Sequence, residues 1–245
     1  MNHPVLLIHF LLICLLNLAG IFQTNTVITG NEAVLNFPES LVFNLEINSD
    51  VEIDQVTLFY SSDGRSCQST VARQDLEFDP AGELQMEWEW DFSRDSTIPP
   101  GVVVEWQWEI TDSRGNLTLT EPKSLVIQDQ RYDWEQYAEN GITVQWLVGD
   151  DGFGEHVNHI AQEKLAYISD TMGVEIDGDI WITIYPSSDE VREAVQFSED
   201  WVGGVAFPDH NAVIVAALPG QEDWLNRVIA CLLYTSPSPR DKHHH

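Results

Sequence analysis

The sequence predicts two domains, an all-β sandwich followed by an α/β unit. Three observations carry that reading. A length of 245 residues is enough for two modest domains, and a hydrophobic content of 43% is enough to bury their cores. Residues 24–130 hold short apolar or alternating runs at strand spacing, with no helical period among them. Beyond residue 131 the strand patterns alternate with amphipathic helical ones.

The chain opens on Pro4–Phe22, an apolar run about long enough to span a bilayer. Leu18-Ala19-Gly20 offers small residues for cleavage, although no Lys or Arg precedes the run. Residues 1–23 are therefore expected to be an export signal, either cleaved or retained as a membrane anchor through residues 4–22. The protein is expected outside the cell or at its surface. The charge balance of 11 basic against 40 acidic residues, net −29, excludes nucleic acid and anionic membrane surfaces as partners, since both demand positive charge. Such acidity suits a secreted protein in a salty or calcium-rich setting.

Seven runs mark the sandwich strands: Ala33–Phe37, Leu41–Ile47, Gln55–Tyr60, Thr70–Phe78, Leu84–Phe92, Val102–Ile110 and Leu117–Ile127. Turn clusters separate them, among them Asp79-Pro80-Ala81-Gly82 and Asp112-Ser113-Arg114-Gly115. That count and spacing predict an immunoglobulin-like sandwich. Of the three cysteines, Cys14 lies in the apolar run and Cys231 near the C-terminus, which leaves Cys67 without a disulfide partner. Met86, Trp88 and Trp90 alternate with carboxylates on one strand, and Val104, Trp106, Trp108 and Ile110 do so on another. The period of two puts the indoles on one face. They are expected to form the core; the functional alternatives are an aromatic sugar platform or an acidic cation-binding face. Asn116-Leu117-Thr118 is a formal glycosylation sequon, read as a chance occurrence.

Arg131–Tyr137 reads as the linker into the second domain. There follow a strand at Ile142–Val148, a turn at Gly149–Gly152, a helix at Gly154–Met172, a buried strand at Ile180–Tyr185 and a helix at Ser188–Phe197, where Ser187 and Glu190 form a capping box. Val202–Phe207 and Ala212–Ala216 read as a hairpin about Pro208-Asp209-His210-Asn211. The last helix occupies Gln221–Ala230, with Trp224, Leu225, Val228 and Ile229 on its apolar side and Glu222 and Asp223 in its first turn. From Cys231 onward the pattern is expected to break, with Pro237 and Pro239 forbidding helix.

The run Trp224-Leu225-Asn226-Arg227-Val228-Ile229-Ala230, at the end of a β-α-β-α-β-β-α order, resembles the approach to the zinc helix of the gluzincin metallopeptidases, the thermolysin-type, peptidase MA-like group. The likeness covers residues 131–230 and implies an incomplete gluzincin-type N-terminal subdomain. In that family His-Glu-x-x-His comes next: two histidines one turn apart for the zinc, with a glutamate to take a proton from zinc-bound water. Here Cys231-Leu232-Leu233-Tyr234-Thr235 stands in its place. The resemblance implies zinc and a peptide or protein substrate for the intact family member, but no zinc, no catalytic residue and no peptidase activity for this chain. Leu233–Asp241 also resembles the translation of a sequencing adapter, so residues 231–245 are expected to be an artefactual tail and the last helix to leave apolar surface exposed. From the family, the strand before the zinc helix is expected to pair with extended substrate at the sheet edge, which assigns Asn211, Ala212, Val213, Ile214 and Val215 to substrate binding.

Other constellations are weaker. His156, His159 and Glu163 have ligand-like spacing but fall on the polar face of their helix. Gly149–Gly154 lacks the lysine and glycine spacing of a phosphate loop, and Asp150 and Asp151 would repel phosphate. His243–His245 could hold a metal only as a tag-like tail. The second function carried forward is a non-enzymatic extracellular binding or adhesion protein that uses its sandwich.

Overall fold

The structure, a computed structural model, describes residues 26–62, 71–92, 97–173, 179–196 and 203–235. The expected export segment, Cys14, Cys67, Val202 and His243–His245 lie outside these residues.

The first half is built on one long strand. β1 (Thr26–Asn36) leads into β2 (Ser40–Ser61), followed by β3 (Ala72–Asp75), β4 (Ala81–Asp91), β5 (Val103–Asp112), β6 (Leu117–Leu119) and β7 (Lys123–Val126). The two runs expected as separate strands, Leu41–Ile47 and Gln55–Tyr60, are one strand of 22 residues. The front part of β2 pairs with β1 and β4, and the rear part with β3 and β5. The register shifts between Asn48 and Ile53, where Ser49 Oγ accepts the Val51 N–H. The bend lets β2 fold over itself: Phe43 lies 5.8 Å from Tyr60 and 5.6 Å from Trp106, edge-on to the indole. Strands β1–β7 form one seven-stranded sheet around a common core.

The alternating tryptophans belong to that core. Trp90, Trp106 and Trp108 are buried, and Trp88 is half-buried against Phe43 and Tyr60. The indole N–H groups of Trp106 and Trp108 both donate to Asn31 Oδ1, at 2.8 and 3.1 Å, so their burial leaves no donor unpaired. These indoles point into the core, as expected from their alternation. Leu117–Ile127, expected as one strand, is split into β6 and β7 by Thr120–Pro122; Thr120 Oγ takes the Trp108 N–H, and Pro122 has no N–H to give a ladder.

The second half is a five-stranded sheet. Its elements are β8 (Glu135–Glu139), β9 (Ile142–Trp146), α1 (Asp151–Met172), β10 (Ile180–Tyr185), α2 (Ser188–Val195), β11 (Gly204–Phe207), a 3₁₀ turn (Pro208–His210), β12 (Ala212–Ala216) and α3 (Glu222–Thr235). The strand order is β11-β12-β10-β9-β8, with β9, β10 and β12 parallel and an antiparallel strand at each edge. Part of the expected linker is thus β8, a polar edge strand whose exposed Glu135, Gln136 and Glu139 hid it from a hydrophobicity argument. Asp150 caps α1 by accepting the Phe153 N–H, and Ser187 caps α2 by accepting the Glu190 N–H; Glu190 Oε2 takes the Ser187 hydroxyl rather than its N–H, so only the serine half of the expected capping box forms.

Alternation along the sheet sends two sets of side chains to two coverings. Ile142, Val144, Trp146, Ile180, Ile182, Ile184, Val213 and Val215 pack under α1 and α3. Tyr185 and Ile214 face the other way, into the same core as β1–β7, together with Val191, Ala194 and Val195 of α2. The seven-stranded sheet therefore covers one face of the five-stranded one. Each large apolar side chain buried there contributes roughly 1.5–3 kcal/mol. Gly101, at φ +94°, lies flat on Trp181, where a Cβ would be 2.3 Å from the ring. Gln128 donates to Gln145, which donates to Thr183, tying the polar part of this face to the segment that follows β7.

Candidate functional site

The site expected from the family motif lies where α3 passes the edge strand β11. The carbonyl of Gln221 accepts the N–H groups of Trp224 and Leu225, which starts the helix. Glu222 Oε1 accepts the Gly220 N–H at 2.8 Å. Backbone N–H bonds from Glu222 itself and from Gly220, with His156 close by, hold this carboxyl below the usual carboxylate range.

The expected break after Ala230 does not occur. Helix α3 runs on to Thr235, two residues short of Pro237. Leu225, Ile229 and Leu233 recur every fourth residue and are all fully buried, so Leu233 continues the apolar stripe. The surface expected to be bare is also covered in large part: among the described residues no large hydrophobic side chain of α3 is exposed. Trp224, Val228 and Leu232 are half-buried along the flank of the core.

Two glycines bring helix and strand together. A Cβ on Gly204, the first residue of β11, would lie 2.9 Å from Leu232 Cδ1, and one on Gly203 would lie 3.2 Å from Trp224 Cζ2. Leu232 therefore rests against the edge strand, with Cys231 exposed beside it and Thr235 one turn on.

The edge position assigned to Ala212–Val215 belongs to β11. β12 is interior, paired with β10 on one side and β11 on the other, so both sides of its ladder are occupied. Asn211, at φ 49°, ends the 3₁₀ turn that inserts β11 outside β12. The Ala216 N–H donates to Gly203 O at 2.9 Å, which makes Gly204–Val215 a non-hydrogen-bonded pair. The N–H and C=O groups of Gly204 and Ala206 consequently point away from β12, and among the described residues no strand pairs with them.

The donor set does not fit zinc. Leu232 is carbon only, Cys231 is one thiol, and no imidazole lies on α3. Among the described residues no three His, Cys, Asp or Glu side chains gather into a metal-holding group. His159 is exposed and pairs with Glu163 at 3.4 Å. Of the Gly149–Gly154 stretch only Gly149 and Asp150 lie before α1; Asp151–Gly154 are its first turn, where Gly154 lies on the ring of Trp146. Among the described residues no helix is long and apolar enough to cross a membrane.

Sequence reasoning missed one polar constellation. Asp129, fully buried, accepts Tyr185 Oη at 2.8 Å, Arg131 Nε at 2.9 Å and Arg131 Nη2 at 2.7 Å, while its carbonyl accepts Trp134 Nε1. Arg131 also reaches Glu193 on α2 at 3.0 Å. Burial, with the Asp129 charge adding to it, pushes the Tyr185 phenol well above its ordinary range. The hydrogen bonds to Asp129 hold the Arg131 guanidinium still more firmly in its charged form. The only signal in the sequence was an Asp and an Arg two residues apart at an expected linker.

The model of the Peptidase MA superfamily matches residues 160–234, from within α1 to the end of α3. Over that stretch, which is less than half of its length, the chain is peptidase MA-like. No curated protein matches. Among solved structures, β-glucosidase 3B from Thermotoga neapolitana is similar in its glycerol complex (12% identity, 44% of this chain and 16% of that one, TM-score 0.28). Its glucose complex has 12% identity, 43% and 17% coverage and a TM-score of 0.24. The GH3 β-glucosidase of Bifidobacterium adolescentis has 11% identity, 44% and 19% coverage and a TM-score of 0.23. The chain spans less than a fifth of those proteins, and at such TM-scores the likeness defines neither fold nor function.

Proposed function

We propose that this chain is the front portion of an exported, zinc-dependent metallopeptidase of the gluzincin type, and that as it stands it is inactive. One observation carries the reading: within a stretch that matches the peptidase MA model, α3 runs against the open edge of β11 at Leu232, among the residues where the family motif is expected. The role of pairing with an extended peptide passes from β12 to β11, whose Gly204 and Ala206 backbone groups face outward. The N-terminal apolar segment supports export.

Resequencing the source locus through the codon for Ala230 tests the proposal. His-Glu-x-x-His directly after Ala230 is the expected result, and a genomic Cys-Leu-Leu-Tyr-Thr would sink it. Independently, Cys231→His/Leu232→Glu/Thr235→His in the full chain should bind zinc at least roughly tenfold more tightly than the parent, because two imidazoles one turn apart face a single ion. Equal affinities would argue that α3 is not a zinc helix.

A further inference from the structure

The carboxyl ends of β10 and β12 form a crevice of about 270 Å³ that the peptidase reading does not use. These strands are parallel neighbours, yet the chain leaves them in opposite directions: β10 leads to α2 on the face that shares a core with β1–β7, and β12 to α3 on the α1 side. Ligands of open α/β sheets bind outside strand ends at such a divergence, because the two loops part and leave a cleft between them. Ser187 and Ser188 border the crevice from one loop, Ala217, Gln221 and Trp224 from the other.

The chemistry of the walls narrows the ligand. None of the described residues lining the crevice carries a charged side chain, although the chain has a net charge of −29. Two helix starts would ordinarily attract an anion. Here Asp189, Glu190, Glu222 and Asp223 fill the first turns. Three of them are engaged locally: Glu190 with Ser187, Asp189 with Arg192 and Glu222 with the Gly220 N–H. They oppose an anion without offering ligands to a cation in the cleft. With the Ser187 hydroxyl held by Glu190 and Gln221 Oε1 by the Leu218 N–H, what remains is the Ser188 hydroxyl, the Gln221 amide NH₂ and an indole. That set matches a small neutral molecule with several hydroxyls and one apolar face. We propose that this crevice binds one ring of a neutral saccharide, independently of any peptidase chemistry at residues 231–235.

The test is calorimetric titration of the full chain with D-glucose and N-acetylglucosamine, set against glucuronate and glucosamine. Saturable binding of a neutral sugar is expected with a Kd of about 1–10 mM, with the charged sugars at least roughly tenfold weaker. Ser188→Ala should weaken it several-fold, and Gln221→Ala about tenfold. Because Gln221 also accepts the Leu218 N–H, Ser188→Ala keeps the test valid if the Gln221 variant misfolds. No saturable binding of either neutral sugar, equal binding of glucuronate, or affinities unchanged in Ser188→Ala and in a folded Gln221→Ala would each overturn the proposal.

Discussion

The phenol of Tyr185, at the end of the central strand β10, donates to the carboxylate of Asp129, which follows β7 and stands 56 residues earlier in the chain. This bond joins the two halves inside a common core. Tyr185→Phe should cost about 1–2 kcal/mol through the lost bond. Asp129→Asn, which leaves Arg131 facing a neutral amide, should cost about 3 kcal/mol. Denaturant unfolding measures both, and a cost near zero for Asp129→Asn would mean that the cluster does not hold the halves together.

The same pair sets an alkaline limit. The Tyr185 phenol is raised in the folded state, so folding favours its protonated form. That contribution is complete below the unfolded tyrosine value of about 10 and is lost as pH rises above it toward the folded value. Unfolding midpoints should therefore fall above pH about 10, less steeply in Tyr185→Phe. Parallel profiles for the two proteins would assign the alkaline loss to other groups.

Asn31 serves two indoles with one oxygen. Asn31→Ala would leave the N–H groups of Trp106 and Trp108 buried without a partner, at about 2–4 kcal/mol for the two. Asn31→Asp keeps the acceptor and should be the milder change if the carboxylate is protonated. Calorimetric melting of both variants checks the ordering.

Close approach of α3 to β11 depends on Gly204. Gly204→Ala places a Cβ 2.9 Å from Leu232 Cδ1 and 3.0 Å from Ile214 O, and should destabilise by about 1–3 kcal/mol. Adding Leu232→Ala should recover only the side-chain part, since the Ile214 carbonyl cannot move aside. A double-mutant cycle with no coupling would contradict the contact.

Leu233 tests whether the end of α3 is integral to the fold. Fully buried under the sheet, it should cost about 3 kcal/mol as Leu233→Ala. A loss below about 0.5 kcal/mol would mark the last turn as ornamental to the core.

Much of this protein is legible in its sequence, because local patterns carry it. The period of two in β4 and β5 turns the tryptophans inward, the Ser187 cap starts α2, and the apolar runs at Ile142, Ile180 and Ala212 are the three parallel strands. The lead-in at Trp224–Ala230 points to the stretch that the peptidase family model matches. Other features depend on partners far away in the chain. Strand β2 stays continuous through the polar Asn48–Asp50 because β1, β4 and β5 pair on either side of the bend. Polar β8 is a strand because β9 supplies its ladder. The end of α3 remains helical because Leu233 finds the underside of the sheet, although its neighbours in sequence announce a stop. Edge position belongs to β11 rather than β12 because strand order is a property of the assembled sheet. The Asp129–Arg131–Tyr185 cluster likewise exists only when the seven-stranded sheet packs over β10. Periodicity fixes which way a side chain points; only the packed chain decides what it meets, since burial and pairing are settled between segments that the sequence keeps apart.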